Sequence, residues 1–535
     1  MSLRSGGSFG ALAGAACVTL ATLVPRLLPA QQGDAFVLLL ASGDTIAVER
    51  ITRTADRLAG ELLMPSAGVR FSYTATLAPD ATVTRLENAL RPAAAERTAP
   101  PQQSAVITFQ GDSAIAVVTQ GDRSVTQRLG SRQGALPFIN PSFALVEQLV
   151  RRAFVIGGDS VSVPTFLVQG GQTLSVSIRR LGSDSVIVDL AGGAPARLAV
   201  GAAGEITGGA VPAQGLRIVR VSGLPEGVMR SEPIDYRAPP AAPYTSEAVR
   251  VPAAGFTLAG TLTLPRDASR PVPAFVTITG SGQQERDSRL PFVKDYALFR
   301  QLADTLARHG VAVLRMDDRG FGESGGDAAR ATSADFAEDI RAGLRYLRTR
   351  REIDTTRLGL IGHSEGGIIA PMIAASDSSL RGIVLMAAPA WTGRRVIESQ
   401  NRYLLENAPD LSARQRDSLL QVSMRMVDSA GASAPWLRYF QTYDPLPAAR
   451  RVRIPVLILQ GATDRQVTAE QAEALAGAMR AAGNRDVTVR VFEETNHLFL
   501  QDTVGSWANY ASLPERAVRP AVLGVLVEWV SSRFR

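Results

Sequence analysis

Arg357-Leu-Gly-Leu-Ile-Gly-His-Ser-Glu-Gly-Gly367 is the stretch on which the reading of this chain turns. The apolar run 358–361 reads as a buried strand, and the small and apolar residues after Gly367 read as a helix. Between them Gly362-His363-Ser364-Glu365-Gly366 has the pattern G-x-S-x-G, in the strand-to-helix context that makes it a nucleophile elbow. A turn that tight holds its serine in a strained backbone conformation, so Gly362 and Gly366 are expected where a side chain would clash. The Ser364 hydroxyl then stands above the sheet, and the following helix N-terminus offers N–H groups to an anion. Without that context the same residues are only a glycine-rich turn.

On both sides of the elbow, strands alternate with helices. Residues 248–251 and 257–264 read as an opening antiparallel pair, and 274–279 as a buried strand ending in Gly280-Ser281-Gly282. An amphipathic helix over 296–309 presents Phe299, Leu302 and Leu306 on one face. A strand over 311–316 leads into Asp317-Asp-Arg-Gly-Phe-Gly-Glu-Ser324, and a helix spans 333–350. Further strands follow at 382–386, 456–460 and 487–492. That rhythm predicts an α/β fold with a mostly parallel sheet and helices on both faces. Residues 390–450, helical in character but interrupted by Pro409, Pro435 and Pro445, are expected as a cap over the strand ends.

A serine nucleophile needs a base within reach, and the base needs an orienting acid. The chain has 3 histidines. His309 ends a helix far from any elbow, and His363 sits inside the elbow, suited to packing or oxyanion support. His497, in Glu493-Glu-Thr-Asn-His-Leu498 after the last strand, is the candidate base. Asp464, just past the strand in Pro455-Val-Leu-Ile-Leu-Gln-Gly-Ala-Thr-Asp464, is the candidate acid. Asp317, Asp318, Asp444 and Glu494 are the competing carboxylates, the first two expected to pair with Arg319. The order Ser364, Asp464, His497 is that of α/β-hydrolases. The oxyanion needs two donors. The N–H of Glu365 is one, and the backbone of Ser281 or Gly282 the other. The Glu365 side chain is expected as an acid complementing the helix dipole.

From about residue 245 to 535 the chain resembles the α/β-hydrolases of the serine aminopeptidase and esterase group, in particular the esterase D-type bacterial carboxylesterases. The residues that carry it are Gly280-Ser-Gly-Gln-Gln-Glu-Arg-Asp287, Asp317–Ser324, Gly362–Gly367, Asp464 and His497. The resemblance implies Ser364 as nucleophile, Asp464 as acid, His497 as base, and short-chain acyl esters as substrates. The oxyanion loop departs from many esterases, with Gly-Ser-Gly in place of His-Gly-Gly-Gly. The leading expectation is therefore a serine hydrolase of small-molecule esters. A peptidase on the same triad and a binding protein with a relic hydrolase domain are the alternatives.

Before the proline-rich linker Arg237-Ala-Pro-Pro-Ala-Ala-Pro-Tyr244 the pattern is alternating and β-branched, which predicts an antiparallel all-β domain over residues 31–236. Leu39–Val48 aligns without gaps to Leu167–Val176, suggesting two related β-units. A helix over 141–154, with Phe143, Val146, Leu149 and Val150 on one face, lies between them. Residues 1–30 read as a secretory leader: Arg4, an uncharged apolar core over 9–24, then Leu28-Pro-Ala30 before the cut. That core is short for a membrane span, which disfavours a retained anchor. Its Cys17 is the chain's single cysteine, so the mature chain is expected to hold neither disulfide nor thiolate metal site, and no cofactor is needed. At 535 residues, 45% hydrophobic and 20% charged, this is a globular chain of more than one core. The net charge of +7 comes from arginines (Lys294 is the one lysine) scattered among acids, without the basic, aromatic-studded runs of a nucleic-acid surface.

Overall fold

The alternating sequence up to residue 224 builds one sheet of fifteen strands in the computed structural model. The model describes residues 31–534 apart from 41–42, 44, 66–67, 121–122, 170, 190–194, 226–227, 230–233, 267, 291–292, 294, 329 and 409–410. The leader expected over 1–30 lies outside the described residues. Two antiparallel meanders make up fourteen of its strands, and Leu136–Phe138 adds a parallel edge strand beside Ser160–Leu167. One runs in chain order from Gln31–Leu40 to Arg123–Gly130, the other from Ser160–Leu167 to Leu216–Leu224. They join edge to edge, Val37 standing opposite both Val48 and Val219. The two stretches that align in sequence are both hairpins, one in each meander.

The helix between the meanders runs Phe143–Ile156, and here the expectation needs correction. Every residue from Phe143 to Val150 is buried, not one face alone. Leu38, Leu58, Leu86 and Ile107 of the first meander and Val163, Val176 and Val186 of the second share one core with it. Arg132 donates to Ser175 at 2.7 Å and Thr173 to Ser131 at 3.1 Å, so the sheet's far strands meet around the helix. A helix wrapped by sheet must be buried all round. Local periodicity could not show that, because Glu147 and Gln148 on its other side are buried through polar partners such as Arg220 and Arg53.

The second sheet has eight strands, in the spatial order Tyr244–Ala253, Phe256–Pro265, Ala312–Met316, Val272–Ile278, Ile353–His363, Gly382–Met386, Val456–Gly461 and Val487–Phe492. The first two pair antiparallel, and the rest are parallel among themselves. Ala312–Met316, Gly382–Met386 and Val456–Gly461 are buried throughout, as strands covered on both faces must be. Alternate side chains supply two cores. Leu360, Ile383, Leu385 and Ile458 pack with the helices Ser333–Arg348, Gly366–Ala374 and Glu470–Ala481. Ile361, Val384, Met386 and Leu459 pack with Leu298–Arg308 and Pro520–Arg533. Between Gly382–Met386 and Val456–Gly461 come the helices Gly393–Glu406, Ala413–Ser433, Pro435–Thr442 and Leu446–Ala449, where the cap was expected. Pro435 opens the third of these and Pro445 caps the fourth. No helix among the described residues is long and apolar enough to cross a membrane.

Candidate active site

Strand Ile353–His363 ends where helix Gly366–Ala374 begins, and the residue between them with positive φ is Ser364, at 54°. A side chain at Gly362 would run into the Gly366 carbonyl, and one at Gly366 into the carbonyl of Ile278 on the neighbouring strand. The serine's backbone strain is held by surroundings that leave no other path. Its N–H donates to the Met386 carbonyl at 2.9 Å and its carbonyl accepts from Gly367 at 2.8 Å, pinning the turn from both sides.

His497 arrives on a loop fixed by its own polar residues. Asn496 Oδ1 accepts the N–H groups of Leu498 and Leu500, while its Nδ2 donates to Asp502 at 3.1 Å. Tyr296 Oη donates to the Leu498 carbonyl at 3.1 Å. His497 Nδ1 lies 2.8 Å from Asp464 Oδ2. A carboxylate accepts, so Nδ1 carries the proton and Nε2 is left with its lone pair. Asp464 is itself held: Oδ1 accepts from Gln466 N at 2.8 Å and Val467 N at 2.9 Å, and Oδ2 also from Gln460 Nε2 at 3.1 Å. His363 donates from Nε2 to the His497 carbonyl at 3.0 Å, so the elbow histidine braces the loop of the other. Ser364 and His497 line one cavity, with no hydrogen bond between their side chains in this structure. Such contacts are often loose until substrate draws them together.

That cavity has a volume of about 280 Å³, and Gly280, Ser281, Gln284, Trp436, Phe440, Gln466 and Tyr510 are among its walls. Ser281 thus lines the cavity that Ser364 enters, whereas Gly282 lines a smaller one. A side chain at Gly280 would stand 3.1 Å from Ser364 Cβ, which measures how near this loop comes. Asp, Glu, Lys and Arg are missing from the described lining. A strained serine, an imidazole oriented by a carboxylate and nearby backbone amides can together carry out acyl transfer. Among the described residues, no group of three or more His, Cys, Asp and Glu is placed to hold a metal ion.

Three expectations change. Asp317 and Asp318 do not pair with Arg319. Asp317 receives the buried Arg286, at 2.9 Å from Nε and 2.8 Å from Nη2, while Arg319 pairs with Asp339 at 2.6 Å. Asp318 accepts from Thr279 Oγ1 and Gln284 N, both at 2.8 Å, and so ties the loop that carries Gly280–Gln284 to the end of strand Ala312–Met316. The Glu365 side chain makes no capping bond; it is buried and bonded to Ser333 and Trp436. All three turn on tertiary partners distant in sequence, and the nearest local signal, arginine beside aspartate, pointed to the wrong pair. His309 is the exposed C-cap expected of it, its Nδ1 on the Thr305 carbonyl at 2.8 Å.

Comparison with known proteins gives matching family models and relatives. The model described as serine aminopeptidase, S33, matches residues 292–434, and that of the prolyl oligopeptidase family matches 425–514. Esterase EstD of Thermotoga maritima is 29% identical over 248 residues, which are 45% of this chain and 58% of that protein. Dipeptidyl aminopeptidase BIII of Pseudoxanthomonas mexicana is 26% identical over 257 residues, 45% of this chain and 34% of that protein. This chain therefore spans only part of each relative's length. Among solved structures, an esterase of Pyrococcus furiosus is 16% identical, covers 57% of this chain and 97% of its own, and has a TM-score of 0.40.

Proposed function

We propose that the C-terminal region of this chain is an α/β-hydrolase of the esterase type and that the protein hydrolyses small carboxylic esters through an acyl-enzyme on Ser364. His497 Nε2 takes the hydroxyl proton as Ser364 Oγ attacks the carbonyl carbon, and Asp464 stabilises the imidazolium. The N–H groups of Glu365 and Ser281 receive the oxyanion. His497 then protonates the leaving alcohol, and a water activated by the same base releases the acid. The observation that carries this reading is the buried Asp464–His497 pair at 2.8 Å, whose geometry leaves a basic nitrogen in the cavity that Ser364 enters. Residues 1–30 act, in this reading, as a secretory leader.

A peptidase is the second reading, favoured by the descriptions of the two matching family models. A substrate's free ammonium would call for an acidic subsite, and the described lining, which holds no Asp or Glu, supports the ester instead. The test is hydrolysis of p-nitrophenyl esters, acetate to palmitate, beside aminoacyl-nitroanilides. Ester turnover should vanish in Ser364→Ala and fall about 10⁴-fold in Asp464→Asn. Turnover of nitroanilides alone would move the assignment to a peptidase, and ester turnover surviving in Ser364→Ala would overturn both.

A further inference from the structure

The proposed reaction uses the backbone of Glu365 but not its side chain. That carboxylate lies buried between separate elements. Ser333 Oγ, at the start of helix Ser333–Arg348, donates to it at 2.6 Å. Trp436 Nε1, in the cap helix Pro435–Thr442, donates to its two oxygens at 2.9 and 3.1 Å. Burial raises the carboxyl's pKa, and these donors with the nearby Ser281 hydroxyl oppose the rise. An indole N–H is a donor only, so the acceptor it finds sets where the ring lies. The Trp436 ring stacks on Phe440, centroids 5.4 Å apart at 12°, and both rings wall the cavity that holds Ser364 and His497.

We propose that Glu365 is a positioning residue for substrate selectivity: anchored by Ser333, its carboxylate takes the Trp436 N–H and holds the Trp436–Phe440 wall at a fixed distance from the nucleophile. This rests on the ester-hydrolase reading. The residue beside the nucleophile thereby ties the cap to the elbow, and the room left for a substrate chain is set from inside the catalytic turn. The charge itself is dispensable. A carboxamide can offer its oxygen to the indole and its NH₂ to the Ser333 hydroxyl, which accepts as well as donates.

The experiment takes the full chain as wild type, Glu365→Gln, Glu365→Ala, Trp436→Phe and the Glu365→Ala/Trp436→Phe double variant, each checked for cooperative melting. The first readout is kcat and KM over p-nitrophenyl esters from acetate to decanoate. The spread in kcat/KM between best and worst ester should narrow roughly tenfold in Glu365→Ala and in Trp436→Phe, the scale of one hydrogen bond to a charged group. The narrowing should come mainly through KM and go no further in the double variant, and Glu365→Gln should restore the spread. The second readout is acrylamide quenching of the Trp436 emission, obtained by subtracting Trp436→Phe. It should rise in Glu365→Ala and return in Glu365→Gln. A uniform fall in kcat with the spread intact, additive losses in the double variant, or Glu365→Gln matching Glu365→Ala would each overturn the proposal. If Ser364→Ala keeps ester turnover, the ester reading fails by itself. The quenching then decides alone, and equal quenching in Glu365→Ala and wild type overturns the proposal.

Discussion

At the scale of single residues, burial first and the neighbouring His497 second push the pKa of His363 down to about 3. The rings lie 4.8 Å apart, where two positive charges would repel. The neutral ring still braces the loop, since its Nε2–H donates to the His497 carbonyl, and that bond opposes the drop without cancelling it. In the unfolded chain the same group titrates near about 6.5. Its contribution to stability is therefore present above that pH and is lost as pH falls toward about 3. His363→Phe should remove this acid-side slope, cost about 1 kcal/mol near neutral pH, and slow ester turnover by loosening the base. Urea midpoints at neutral and acid pH check it, and an unchanged acid slope would refute it. Asp318 has the opposite sign: burial pushes its carboxyl up to about 8. Raised above its unfolded value of about 3.9, it contributes stability below that pH which is lost as pH rises through about 8. Asp318→Asn should flatten the decline between about pH 4 and pH 8, each pKa unit being about 1.4 kcal/mol, and parallel curves for variant and wild type would exclude this.

At the scale of elements, the elbow is a packing problem solved by absent side chains. Gly366 lets its helix start directly against the Ile278 carbonyl of the adjacent strand. Gly366→Ala should cost about 1–3 kcal/mol through overpacking and lower kcat more than it raises KM, because the displaced helix N-terminus carries the Glu365 N–H. Thermal melting with steady-state kinetics reads both, and a wild-type kcat would show that the helix start does not set the oxyanion donor. The base loop relies on Asn496 and Asp502 in the same way, satisfying backbone amides that a turn would otherwise leave unpaired.

At the scale of the whole molecule, the segment between the sheets is not a free spacer. The Arg286 guanidinium lies 4.1 Å from the centre of the Tyr236 ring. Arg300 donates to the Asp235 and Arg237 carbonyls at 2.6 and 2.8 Å. Tyr244 Oη donates to Asp304 at 2.7 Å. The proline-rich stretch is thus stitched along the hydrolase region, and Arg286 serves both this contact and Asp317 beneath the oxyanion loop. Tyr236→Ala should forfeit about 0.5–2 kcal/mol of cation–π attraction and speed trypsin cleavage after the exposed Arg237. Cleavage at the wild-type rate would mean that the stacking does not hold the segment down.

The sequence by itself determined the fold class, the alternation of strand and helix, the elbow around Ser364, and the chain order of Ser364, Asp464 and His497. Those features are written locally, in apolar period, in glycines where a turn leaves no room, and in there being so few histidines to choose from. Tertiary structure alone decided which arginine meets Asp317, that residues Phe143–Val150 of the helix between the meanders are buried on every side, that His363 braces His497, and that Glu365 reaches the cap. Each of these is a buried polar or charged group. Such a group must find a partner wherever the fold brings one, and for Glu365 and Trp436 that partner lies seventy-one residues away.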